Sequence, residues 1–138
     1  MMTTPKKSLK PESVWIRGDL YGPPDPVSNL PHIKFMVREN ETHAERKLRE
    51  MRQEAHEWNH TFWHGHNTKF LKEKEDYITR FPNRKLSADE MSVFYKDFLD
   101  RNRNLHRAYN MELYSRNFRL LWPELLVSVE RLIRRLRL

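Results

Sequence analysis

From Glu41 onward the apolar residues of this 138-residue chain stop being scattered and become periodic. Leu48, Met51, Ala55, Trp58 and Phe62 recur at alternating steps of three and four, which places them on one stripe of a helix. At about 100° per residue the stripe covers about 80° of the circumference, a seam wide enough to seat one neighbouring helix. Asn40 or Thr42 can cap its start, with Glu41 and Glu45 at the positive end of the dipole. No proline intervenes before Pro82, so a helix is predicted over about 42–80. At Gly65 the inward positions drift toward His66, Phe70 and Tyr77, which makes that glycine a place for a bend.

Ser87-Ala88-Asp89-Glu90 matches a capping box, so a second helix is predicted from 88 to about 107. Met91, Phe94, Tyr95, Phe98, Leu99, Leu105 and Tyr109 give the apolar series that begins with it. The short turn before it makes the two helices antiparallel neighbours. Asn102, Asn104 and Asn110 lower helix propensity, and a break near 108 separates a third helix, 109–138, kinked near Pro123. Past Pro123, Leu125, Leu126, Val129, Leu132, Ile133 and Leu136 share one face and Arg131, Arg134, Arg135 and Arg137 surround the other: a basic amphipathic helix.

Before residue 41 the pattern is different. Six of the eight prolines and two of the three glycines fall within residues 1–31, which predicts an irregular arm. Tyr21-Gly22-Pro23-Pro24-Asp25 is its stiffest stretch, because each proline also biases the residue before it toward extended conformations. Ile33 to Val37 alternates weakly, and with no evident strand to pair with it is expected to dock on a helix. The first eleven residues carry Lys6, Lys7 and Lys10 and no acid, as the remnant of a transit peptide would. The expected architecture is all-α: a Pro-rich arm over 1–40 and a helical domain over 41–138, built as a long antiparallel hairpin with a basic amphipathic C-terminal helix.

Composition narrows the chemistry. Hydrophobic residues make up 38% and charged residues 33%, so a modest core must come from few, large side chains. The net charge of +7 favours an anionic partner, lipid or nucleic acid. Without cysteine there is no disulfide, thiolate nucleophile or Cys-based metal site. No Gly-rich phosphate loop, nucleophile elbow or paired carboxylates occur, so no catalytic residue and no cofactor is assigned and the protein is expected not to be an enzyme.

Three constellations stand out. Trp58, Phe62 and Trp63 crowd into one turn and, with Tyr21, Pro23 and Pro24 of the arm, form a candidate partner-binding surface; Trp58 and Phe62 also lie on the core stripe, whereas Trp63 projects about 100° from it. Trp122 with Arg131, Arg134, Arg135 and Arg137 forms a candidate membrane-surface helix. His56, His60 and His64 stand at steps of four opposite the seam, the one arrangement on which a metal or haem chaperone could rest, although no carboxylate is spaced to close a site. A fourth reading, binding of RNA, free or on a ribosome, would use Arg101, Arg103, Arg107, Arg116 and Arg119 with Tyr109 and Tyr114 interleaved.

Several of these segments together resemble a known family. Tyr21-Gly22-Pro23-Pro24-Asp25 with Ser28-Asn29-Leu30, Arg38-Glu39-Asn40-Glu41, Glu57-Trp58-Asn59 with Phe62-Trp63, and Ser87-Ala88-Asp89-Glu90-Met91 through Phe94-Tyr95 to Leu99 are similar to the cytochrome c oxidase assembly factor 8 family, also called apoptogenic protein 1. The likeness runs over about residues 19–119. It implies a mitochondrial protein on the matrix side of the inner membrane that assembles or protects cytochrome c oxidase, with oxidase subunits or assembly intermediates and anionic inner-membrane lipid as partners, and a link to apoptosis. It supplies no catalytic residues, and the histidine ladder is not part of its pattern.

Overall fold

A computed structural model describes residues 13–137. The lysine-bearing segment read as a transit-peptide remnant lies outside them. The chain order is β1 (Val14–Ile16), β2 (Asp19–Pro24), β3 (Pro31–Lys34), α1 (His43–Thr79), α2 (Ala88–Arg101) and α3 (Arg103–Leu136).

The all-α expectation is corrected by the three strands, which form one antiparallel sheet in the order β1-β2-β3. Arg17 and Gly18, at φ 50° and 89°, make the two-residue reversal between β1 and β2; positive φ at both positions matches the twist of the flanking strands. Trp15 pairs with Leu20, and Tyr21 with Ile33. Of the residues expected to dock on a helix, Ile33 and Lys34 have a strand partner after all, whereas Phe35 does meet α1, at Arg52 and His56. Pro23 and Pro24 cannot donate to the ladder, and the register of β2 on β3 is irregular between Tyr21 and Pro24. Asp25 closes the β2–β3 loop: its Oδ1 accepts the amides of Val27 and Ser28 at 2.9 and 2.8 Å, and its own amide donates to Leu30.

The capping box expected at Ser87 forms, and a second one stands at Thr42, where only a cap, Asn40 or Thr42, is expected from sequence. Thr42 and Glu45 exchange bonds at the start of α1, Ser87 and Glu90 at the start of α2. α1 runs unbroken through Gly65 and α3 through Pro123. The α2–α3 break falls at Asn102 rather than near 108. Asn102 is buried and its Nδ2 donates to the Phe98 carbonyl at 2.7 Å, an alternative partner for backbone that a helix would otherwise use. Its Oδ1 accepts from Lys69 of α1.

α1 lies against α2 and α3 in opposite chain order. Tyr77 stacks on Phe94, Phe70 meets Phe98 edge-on, Phe62 stacks on Tyr109, and Glu45 reaches Arg131 and Arg134. Among the described residues, Phe94, Phe98, Tyr109 and Val127 are the buried apolar side chains. The sheet is tied to this pair by Arg52, 3.1 Å from Asp19, and by Asn67, which donates to the Val27 carbonyl at 2.7 Å.

Candidate functional site

The aromatic turn of α1 is built around a residue of α3. Tyr109 stacks on Phe62 with centroids 4.1 Å apart and on Trp58 at 5.3 Å and 10°. Its hydroxyl accepts from Trp63 Nε1 at 2.9 Å and donates to Asn59 Oδ1 at 2.6 Å. The Arg116 guanidinium covers the other part of Trp58, 4.7 Å from the ring. Trp58, Phe62 and Trp63 are all half-buried, so the turn is first of all the joint between α1 and α3. Trp63, which projects away from the stripe, is held there by its N–H as well as by its ring. In the arm, Pro23 and Pro24 are exposed, and Tyr21 lines a charged cleft of about 580 Å³ beside Arg49, Arg52 and Arg131.

The histidine ladder does not act as one set. His60 Nε2 points at Asp25 Oδ2, 3.9 Å away, and His32 Nε2 lies 3.5 Å from the same oxygen. His56 is sequestered by burial, which lowers its pKa and favours the neutral imidazole. His64 is exposed. The carboxylate that the ladder lacks in sequence is thus supplied by the β2–β3 loop.

The most extensive exposed feature is α3. Met111, Tyr114, Phe118, Leu121, Leu125, Leu132 and Leu136 follow helical spacing on one face, with Trp122, Leu126, Val129 and Ile133 beside them, and every one is exposed; Phe118 reaches 75%. The stripe is about 140° wide, about 40 Å long, and contains no carboxylate. α3 packs on the rest of the protein through the opposite side, where Val127 is buried. The four C-terminal arginines divide: Arg131 and Arg134 bond Glu45 Oε1 at 3.4 and 2.9 Å, whereas Arg135 and Arg137 form no ion pair among the described residues. Burial alone would raise the Glu45 pKa, but the Thr42 amide and the two guanidiniums hold it below the usual carboxylate range. The proposed RNA stripe is largely neutralised as well: Arg101 pairs with Glu73 and Asp97, Arg103 with Asp100, and Arg116 and Arg119 with Glu112.

A family profile for cytochrome c oxidase assembly factor 8 matches residues 18–133. The chain belongs to that family. It is 42% identical over 134 residues to the cytochrome c oxidase assembly factor 8 of Bos taurus, covering 88% of this chain and 70% of the relative. The human protein of that name is 40% identical over 132 residues, covering 86% and 64%. A family member of Drosophila melanogaster, named as mitochondrial, is 41% identical over 128 residues, covering 90% and 72%. No solved structure matches the chain.

The matched span takes in β2, β3 and nearly all of α3 but starts after β1, so two of the three strands and the exposed helix belong to the family unit. Three participants were missed from sequence. Tyr109 has a helical apolar spacing but no signal that it would receive Trp63; Asp25 and His32 lie 35 and 28 positions before His60, and only the fold of the loop brings them together. Asp25 followed directly by Pro26, with Ser28 two positions further on, is the one local cue to the turn.

Proposed function

We propose that the protein is a non-enzymatic assembly or protection factor for cytochrome c oxidase in mitochondria, held peripherally at the matrix side of the inner membrane by the apolar face of α3. The uncovered face carries this reading. A stripe of large apolar side chains in water costs free energy that scattered surface residues do not, and it calls for an apolar neighbour. Trp122 lies within it at a position suited to a lipid headgroup boundary, and Arg135 and Arg137 flank its two edges near the C-terminus. Among the described residues no helix is long and apolar enough to cross a membrane, which favours lying in the interface over spanning it. The family name supplies the oxidase as the client. Its contact is assigned to the arm at Tyr21, Pro23 and Pro24 and to the outward edges of Trp58, Phe62 and Trp63.

In cells lacking the endogenous family member, the intact chain delivered to the matrix is expected to restore the oxidase level and to fractionate with membranes. A Leu125→Asp/Leu132→Asp variant, altered only at exposed positions, is expected to do neither. Full restoration by the variant, with membrane association retained, would overturn the assignment.

A further inference from the structure

We infer that Asp25, His32 and His60 form a binding site for one divalent late first-row transition-metal ion, of the zinc class. Each offers one ligand atom, and the three lie within 4.8 Å of one another. Around a tetrahedral zinc ion, with bonds of about 2.0–2.2 Å, neighbouring donor atoms stand about 3.3 Å apart. The Asp25 oxygen sits 3.5 Å from His32 Nε2 and 3.9 Å from His60 Nε2, close to that spacing and at or past the limit of a good hydrogen bond.

The carboxylate is prepared for the role. Its Oδ1 is occupied by the Ser28 and Val27 amides, which leaves Oδ2 turned to the histidines and keeps the group ionised at neutral pH. His60 Nε2 is buried and has no hydrogen-bond partner, an arrangement that costs free energy unless something beyond hydrogen bonding engages the lone pair. His32 is 68% exposed at its side chain, which gives an ion a way in. The three residues come from the β2–β3 loop, β3 and α1, so a bound ion would fasten the sheet to the long helix. Two imidazoles and one carboxylate suit zinc, cobalt or copper better than magnesium or calcium, and three protein ligands leave a position for water or a partner's donor. The site stands independently of the membrane reading.

Titration of the metal-free full chain with Zn²⁺, against a chromophoric chelator, is expected to find one site per chain, with a raised thermal midpoint and, with Co²⁺, the visible bands of a tetrahedral ion. His32→Ala changes an exposed ring, and Asp25→Asn keeps an oxygen for the loop amides, so both should fold. Each should weaken binding by about tenfold or more, whereas His64→Ala leaves it unchanged. If Zn²⁺ leaves the midpoint where it was, or if Asp25→Asn and His32→Ala bind as tightly as the unaltered chain, the cluster is only a polar tie between arm and helix.

Discussion

Tyr109 does three things with one side chain: it fills the seam, stacks on Phe62 and Trp58, and passes a hydrogen bond from Trp63 to Asn59. Tyr109→Phe keeps the ring and removes only the hydroxyl. It leaves the Trp63 N–H and the Asn59 amide without their partner in a half-buried setting, for a cost of about 1–3 kcal/mol. Denaturant unfolding followed by tryptophan fluorescence should show that loss with an unchanged slope, since the buried area stays the same. A loss below a few tenths of a kcal/mol would mean that water replaces the hydroxyl. The spacing of Trp58 and Phe62 identifies them in sequence as seam residues because helical periodicity is a local property. That Trp63 shares their partner is not a local property: it depends on where Tyr109 arrives from 46 positions away.

Between elements, the seam holds a titratable pair where α1, α2 and α3 meet. The ring centroid of His66 in α1 lies 4.6 Å from that of His106 in α3 and 5.4 Å from that of Phe98 in α2, with Lys69 on its own helix acting on it as a cation. Burial first, then His106 and Lys69, lowers its pKa from the ordinary 6.5. The folded protein therefore takes up this proton at lower pH than the unfolded chain does. The stability that depends on neutral His66 is fully present above pH 6.5 and is lost as the pH falls below it. The thermal midpoint should be lower at pH 5.5 than at 7.5, and His66→Leu should flatten that dependence; an equally steep fall in the variant would move the cause elsewhere. The elements themselves were readable to differing degrees. The capping box at Ser87 declares its helix because all the atoms involved lie within four residues; at Thr42 the sequence offers a cap, with Asn40 as its rival, and the reciprocal bond to Glu45 is seen only in the structure. The sheet stays hidden because its reversal is Arg17-Gly18, with an arginine at positive φ, and because β2 ends in two prolines that ordinarily argue against a strand. Asn102 ends α2 by a contact that composition only hints at.

For the whole molecule, the arrangement is a long helix clamped at both ends to a second helical arm. Near one end Tyr77 donates to the Glu90 carbonyl; at the other, Thr42 donates to Glu130 and Glu45 gathers Arg131 and Arg134. That clamp means the segment after Pro123 both stabilises the fold and displays the apolar face. Deleting it would confuse the two roles, and point changes at exposed positions separate them. The sequence shows that α3 is amphipathic, but its apolar stripe could equally have been the core. Only the packing of Val127 and Tyr109 on the opposite side reveals that the larger face is left open. The most direct measurement is sedimentation of the intact protein with phosphatidylcholine vesicles, with and without an anionic lipid, at low and high salt. The protein should pellet with the anionic vesicles, less so in high salt, and Leu125→Asp/Leu132→Asp should stay in the supernatant while unfolding at the same midpoint. An intact protein that stays in solution over anionic vesicles at low salt, or a double variant that pellets as fully as the original, would contradict the account.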